Sequence, residues 1–464
     1  MLDQGEEKML ISIRQMGAHG DGLNDDTAAI AKGIELIRKN GGGTLFFEPG
    51  TYLTGTQRLC DNMELLLGPG AVLKALPDIS AYETDPSVPE VSLRHYLLHL
   101  DHLKNVTISG PGSIDGSGPA FWEREYLDKS VPPLKEGEVP PDSIPEPVWK
   151  YHVLKPKKER VVTIYASGCS NLILRDFQIQ DAAAYTVWLI GSEFITIRNL
   201  HVHNRRSGPN TDVLDIDCCR KVRISDCYLA AGDDSIALKS DPSRTGTPFF
   251  CEDITVTNCV LSSSTCGIRI GYEGDAPIRG CVFSNLTICD TNTGINMLSL
   301  NTPCQFAKLD KGTPIDRLLF QNIIMRNVGR PFFIWAGNQY PEYQYEGHIR
   351  DIRFSGIYAE GCSTSWIGSE IIGAISDILM EDVKIKIKEC LEVEPEKDPV
   401  EVPGIWNGQR RAGALVLRGI VRQKTIGLEC QITNSDATAL HWKNMDSFRL
   451  NGKEQAADGV LKKV

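Results

Sequence analysis

The chain of 464 residues is short of several things, and each absence excludes a class. No run approaches the ~20 apolar residues of a membrane-spanning helix, so no membrane partner is expected. The opening, Met1-Leu2-Asp3-Gln4-Gly5-Glu6-Glu7, carries neither a basic stretch nor an apolar one. No leader is expected on that reading, and the location expected is cytoplasmic; a trimmed leader would make the protein secreted or periplasmic. A surplus of positive charge is also lacking. The net charge is −11, and phosphate backbones need a basic field, so a nucleic-acid partner is excluded. The 14 cysteines include no C-x-x-C repeats of the metal-binding kind. Cys218 and Cys219 are neighbours, which on one strand point to opposite faces. Reduced, buried thiols acting as small hydrophobes are expected rather than disulfides, in keeping with a reducing compartment.

What is present is a repeat. Asn171-Leu-Ile-Leu-Arg-Asp176, Phe194-Ile-Thr-Ile-Arg-Asn199, Lys221-Val-Arg-Ile-Ser-Asp226, Asp253-Ile-Thr-Val-Thr-Asn258, Arg317-Leu-Leu-Phe-Gln-Asn322 and Asp351-Ile-Arg-Phe-Ser-Gly356 share one pattern. The intervals run from about 23 to about 37 residues, a solenoid period. Alternation inside each unit indicates strand, and no helical segment separates the units. A unit this thin cannot bury its own apolar face, so the units stack. The expected fold is all-β: a single-domain right-handed parallel β-helix spanning residues 1–464, with an N-terminal capping helix.

The cap is expected in about residues 10–60. Asn24-Asp25-Asp26 offers an N-cap, and Ala28, Ile30, Ile34 and Ile37 give a helical face over Thr27 to Lys39. Two segments break the rhythm. Residues 118–160 are rich in proline and charge, with Phe121, Trp122, Tyr126, Trp149 and Tyr151; they are expected to wall a groove. Residues 391–405 read as a second projecting loop.

Chemistry concentrates in two stretches one coil apart, Pro209-Asn210-Thr211-Asp212 and Gly232-Asp233-Asp234. If Leu214 and Ile236 stack in the core, Asp212 and Asp234 share a column and Asp233 lies beside them. Crowded carboxylates raise one another's proton affinity, leaving one acid beside one or two carboxylates. Glycoside hydrolysis needs that division of labour. A turn-forming Asp cluster or a calcium site is the plainer alternative.

With Gly110-Pro-Gly-Ser-Ile-Asp-Gly-Ser-Gly118, Asn210-Thr-Asp212 and Gly232-Asp-Asp234-Ser-Ile-Ala-Leu-Lys-Ser240, the chain resembles the polygalacturonase-like glycoside hydrolases of family twenty-eight over roughly residues 10 to 453. The resemblance implies a pectin-degrading enzyme that works by inversion, without cofactor or metal, on a carbohydrate substrate. It implies Asp233 as general acid, Asp212 and Asp234 as the pair that holds and activates water, and Asn210 as a sugar contact. The pattern departs at two places. Thr265-Cys266-Gly267 stands for the family's Gly-His-Gly, so Cys266 replaces a histidine. Gly294-Ile295-Asn296-Met297-Leu298 covers the family's Arg-Ile-Lys, so Asn296 and Leu298 replace two cations.

By strand alternation Asp215, Ala237, Arg269 and Asn296 form one outward column. Arg269 is expected to supply a relocated cation to the substrate, or else to pair with Asp215 or Glu273. Lys239 points outward and either lines the groove or is solvated. Cys266 packs rather than acting as a nucleophile. Trp335, Trp366 and Trp406 serve as sugar platforms or as packing, and His201 and His203 are structural. Two other functions fit the same fold: a catalytically degenerate carbohydrate-binding solenoid, and a polysaccharide lyase or epimerase. The sugar, the linkage, endo or exo attack and the oligomeric state are not legible in the sequence.

Overall fold

The computed structural model describes residues 9–142, 152–244, 250–271, 273–301, 311–337, 344–369, 371–388, 413–433, 439–462 and 464. Thirty-five strands pair into one sheet that winds on itself as a right-handed parallel β-helix. Each coil pairs in register with the next. One inward column runs Leu189, Ile216, Leu238, Ile270, Met297, Ile334, Ile367 and Leu417. All eight are buried. A second column stacks Phe283 on Phe320 at 4.9 Å and Phe320 on Phe354 at 5.1 Å. Such ladders are possible because parallel strands ~4.8 Å apart bring like side chains into van der Waals contact.

The polar residue that closes each repeat has a backbone reason. Asp176, Asn199, Asp226, Asn258, Asn285, Asn322, Gly356 and Asp382 all have φ between 50° and 68°. Left-handed conformation turns the chain from one strand of the coil to the next, and Asn, Asp and Gly tolerate it best. Their side chains also bond along the stack: Asn199 Nδ2 donates to Asp176 Oδ1 at 2.9 Å, and Asn322 Nδ2 to Asn285 Oδ1 at 3.2 Å.

Both ends of the described solenoid are closed. The helix Thr27–Lys39 turns Ile30, Gly33, Ile34 and Ile37 inward over the first coil. Its first amide is satisfied by Asp25, whose Oδ1 accepts from Thr27 N at 2.8 Å. Asp26 makes no side-chain cap; its carboxylate accepts from the His19 and Gly20 amides at 2.6 and 3.0 Å, fastening the turn that precedes the helix. At the other end Gly459–Leu461 runs antiparallel along Leu440–Lys443. A covered edge exposes neither core nor unpaired backbone.

The described part of the 118–160 segment docks rather than projecting. Trp122–Tyr126 and Leu154–Pro156 form an antiparallel ribbon, and Phe121, Trp122 and Tyr126 are buried. Trp122 Nε1 donates to Ala183 O at 3.0 Å, Arg205 Nη1 to Pro140 O at 3.1 Å and Ser207 Oγ to Pro141 O at 3.1 Å. Trp149, Tyr151, Trp406 and the 391–405 segment lie outside the described residues. The described cysteines are free thiols, most of them buried. No described helix is long and apolar enough to cross a membrane.

Candidate active site

Leu214 stands opposite Ile236, and Ile236 opposite Ile268. That register places Asp212, Asp234 and Cys266 in one column, the two aspartates just before their strands and Cys266 at the start of its own, with Asp233 and Thr265 one residue earlier. Backbone bonds hold the stack: Val213 N donates to Asp234 O at 2.9 Å, and Ser235 N to Cys266 O at 2.9 Å. Gly232 is needed for the approach, because a Cβ there would meet Arg205 O and Thr211 Oγ1 at 2.4 Å. Asp212, Asp233 and Asp234 thereby each bring a carboxylate oxygen within 4.8 Å of the others.

Asp212 and Asp234 are buried, and Asp233 is the partly exposed member. Asp234 accepts from the Thr265 hydroxyl at 2.7 Å, the Cys266 amide at 3.1 Å and Arg269 Nη1 at 3.4 Å. The same Thr265 Oγ1 lies 2.8 Å from Asp233 Oδ1. Loss of hydration, then the charge of Asp234, pushes the Asp233 carboxyl up to about 7. Burial, then Asp215 and Asp233, raises Asp212 well above the ordinary carboxylate range. Asp212 Oδ1 is buried without a hydrogen-bond partner, an acceptor left open inside the site.

Lys239 faces outward as the register requires, yet it is only 2% exposed. Its ammonium lies 2.8 Å from Asp215, 2.9 Å from Glu273 and 3.9 Å from Asp212, and donates to the Tyr185 hydroxyl at 3.0 Å. It is therefore neither solvated nor lining an open groove. Burial alone would lower a lysine, but Asp215 and Glu273 hold this one well above its usual value. Lys239 thus takes the Asp215 and Glu273 pairings that were one expectation for Arg269. Arg269 is 6% exposed and reaches Asp234.

The outward column continues from Arg269 through Asn296 and Phe333 to Trp366. Both amide atoms of Asn296 are buried without a hydrogen-bond partner. Leu298, Leu300, Phe333, Trp335, Trp366 and Val416 make a separate apolar cluster on this face. Trp335 and Trp366 are packing residues, and the two positions where the resemblance expects cations hold an amide and the edge of a hydrophobic patch. Cys266 is fully buried, and burial keeps its thiol well above its usual value, which agrees with packing. Asn210 is exposed, in left-handed conformation, and its Oδ1 accepts from Arg160 Nη2 at 3.1 Å. His203 pairs with Asp142 at 2.7 Å, and His201 lies against Tyr228, both away from the carboxylates.

Sequence reasoning passed over Arg160, Tyr185 and Thr265. Arg160 is buried at the end of the docked segment and also binds Pro209 O at 2.8 Å. Only Thr265 had a usable signal, since it precedes the residue in register with Asp234. The three aspartates are also the described group whose spacing admits a cation. The donors supplied by Thr265, Cys266 and Arg269 already occupy Asp234, and a hard cation of the calcium kind takes six to eight oxygens, so the residues present fit such an ion poorly.

The profile of glycosyl hydrolases family 28 matches residues 147–395, more than half of the chain. Among curated proteins, a probable polygalacturonase of Vitis vinifera is 25% identical over 62% of this chain, which spans 56% of that protein's length. Two probable polygalacturonases of Arabidopsis thaliana are each 22% identical, over 81% and 92% of this chain and 78% and 81% of their own lengths. Among solved structures, an exopolygalacturonase of Thermotoga maritima superposes with a TM-score of 0.63 at 19% identity, covering 98% of this chain and 95% of its own. A family 28 exopolygalacturonase of Yersinia enterocolitica gives 0.71 at 16%, covering 96% and 79%. These two carry the fold. The curated relatives overturn the cytoplasmic location expected from the sequence: polygalacturonases are secreted or extracellular enzymes of cell-wall pectin. Buried thiols persist for lack of access, so they are no sign of compartment. With the aspartate stack in place and the profile covering its coils, the chain belongs to glycosyl hydrolases family 28 and is a polygalacturonase-like glycoside hydrolase.

Proposed function

We propose that the protein cleaves pectin-derived oligosaccharides by inversion, with Asp233 protonating the leaving oxygen and Asp212 and Asp234 activating a water. The observation that carries this is the aspartate stack, in which three carboxylate oxygens lie within 4.8 Å and Asp233 alone is partly exposed. Asp233 is the acid because it is the member of the stack that reaches the surface and its carboxyl, raised to about 7, keeps a proton near neutral pH. Asp212 offers its unpartnered Oδ1 to the water. Asn210, oriented by Arg160, contacts the sugar on the other side of the cut.

On the leaving-group side the substrate unit is not held as a uronate by a pair of cations. Asn296 offers an amide, which binds hydroxyls, and Leu298 belongs to the apolar cluster. Arg269 is the cation in this column and meets either a charged substituent or a ring hydroxyl. The described part of the 118–160 segment docks on Arg205 and Ser207, close in the chain to Asn210, which supports a walled groove and attack from a chain end.

One measurement argues for a second stereochemical course. Inverting enzymes generally hold their carboxyl groups ~6.5–9.5 Å apart and retaining ones ~5–5.5 Å. The nearest oxygens here are closer than either range. A retaining course would make Asp212 or Asp234 a nucleophile.

The test is a product screen of wild type and Asp233→Asn on galacturonan and rhamnogalacturonan oligosaccharides and on neutral galactosides and rhamnosides. Mass identifies the product and anomer NMR its configuration. Inverted product, abolished by the variant, is expected. A retained anomer moves the assignment to the second course. An unsaturated product identifies a lyase, and binding without turnover a degenerate solenoid.

A further inference from the structure

One hydroxyl group touches two carboxyl groups in this site. Thr265 Oγ1 is 2.8 Å from Asp233 Oδ1 and 2.7 Å from Asp234 Oδ1. A threonine hydroxyl has a single proton and can donate to only one acceptor at a time. Two carboxylates at these distances would leave one contact repulsive. Both contacts are satisfied when one carboxyl is protonated and donates to Oγ1 while Oγ1 donates to the other. The threonine is held for this: it is 2% exposed, and its amide donates to Ser263 Oγ at 2.8 Å. Where the resembled pattern has Gly-His-Gly, this chain has Thr265-Cys266-Gly267, so the hydroxyl is a feature of this sequence.

We propose that Thr265 is a proton relay that returns Asp233 to its acid form after each turnover. The proposal rests on the assignment of Asp233 as acid. In the cleavage step the Asp233 proton passes to the glycosidic oxygen as the bond from that oxygen to the anomeric carbon breaks. Water adds its oxygen to that carbon and gives one proton to Asp234. Asp233 is then a carboxylate and Asp234 a carboxylic acid, the reverse of the starting state. In the reset step Asp234 donates its proton to Thr265 Oγ1 while the Thr265 proton moves to Asp233. One proton is transferred, no electrons change hands, and the hydroxyl is regenerated already pointing at Asp234. Asp233 is partly exposed, so the competing route is reloading from solvent. The charged groups around Asp233 include Asp212, Asp234, Lys239, Arg269 and Arg160, while Thr265 is the residue whose hydroxyl bridges the two carboxyls.

The experiment is pre-steady-state cleavage by wild type, Thr265→Val, Thr265→Ser and Asp233→Asn, with trigalacturonate and a rhamnogalacturonan oligosaccharide as probes. Thr265→Val is expected to release the first product near the wild-type rate and then slow, giving a burst of about one product per enzyme. Its steady-state kcat falls ~100-fold, the low end of general acid–base contributions, and KM falls in the same proportion, so that kcat/KM is unchanged. Thr265→Ser, which keeps the hydroxyl, restores the steady state. A first turnover slowed as much as later ones indicates a merely structural threonine, and an unchanged kcat indicates reloading from solvent; either overturns the relay. Full activity in Asp233→Asn removes the acid assignment instead. Infrared spectra of the free protein at neutral pH decide independently of turnover. A protonated-carboxyl band lost in Asp233→Asn is expected to shift in Thr265→Val, and a band that does not move also overturns the relay.

Discussion

Lys239 Nζ lies 2.8 Å from Asp215 Oδ1 inside the wall of the solenoid, where both side chains are almost completely buried. It is a close ion pair, and Glu273 and Tyr185 complete the shell around the ammonium. The pair stands beside the aspartate stack, with Asp212 3.9 Å from the same nitrogen. Without that charge, Asp215 and Glu273 would lose the ammonium that both touch, so the lysine helps make the carboxylate cluster tolerable.

Lys239→Met is therefore expected to destabilise the protein by ~3–5 kcal/mol, the usual cost of stranding a buried charge. Chemical denaturation measures it. The double variant Lys239→Met with Asp215→Asn should recover part of the loss. A single variant as stable as wild type would show that the pair has no structural weight.

Stability should fall as pH rises toward neutrality. Asp233 is raised from 3.8 to about 7 and Asp215 to about 6, first by burial in each case. A carboxyl with a raised folded-state value binds its proton more tightly in the fold. Its contribution is full below the unfolded value and is lost as pH passes through the folded value. The melting temperature is expected to decline between about pH 4 and about pH 7, and less steeply in Asp233→Asn. Cleavage should fall on the basic side with a midpoint at about pH 7, where the acid loses its proton. A flat melting profile would contradict the raised values.

Arg269→Ala separates two roles. If the guanidinium binds substrate, loss of a charge-assisted hydrogen bond of ~1.5–3 kcal/mol raises KM ~10–100-fold. If it only holds Asp234, kcat falls while KM stays. Steady-state kinetics on uronate and neutral oligosaccharides tell these apart, and the substrate role is expected to show with the charged series.

Asn258 tests the turn ladder. Its φ is 55°, and its side chain donates to Asp226 Oδ1 at 3.2 Å. Asn258→Gly should be tolerated, whereas Asn258→Val should be less stable than the glycine variant by ~1–2 kcal/mol, the cost of left-handed backbone at a residue with a branched Cβ. Thermal unfolding of the two variants checks the difference.

The solenoid was legible because a two-residue alternation closed by Asn, Asp or Gly is a local property. Each strand shows its inward face, and each turn shows the residue that accepts positive φ. The helix Thr27–Lys39 follows from the helical spacing of its apolar residues, and the register of Leu214 on Ile236 and the outward column Asp215–Ala237–Arg269–Asn296 follow from that alternation. So does the gathering of Asp212, Asp233 and Asp234, since equal register brings residues of successive coils together whatever their chemistry. Tertiary structure alone decided which partner each charge takes. Alternation says that Lys239 and Arg269 point outward, but not that both are buried there, or that Lys239 meets Asp215 and Glu273 while Arg269 reaches Asp234. The bridging place of Thr265 between two carboxyls, and the packing of Trp335 and Trp366 into an apolar cluster, belong to the same class. Register along one strand is set by neighbours in sequence. Burial and pairing are set by what the rest of the chain lays against that strand, and a single strand carries no record of it.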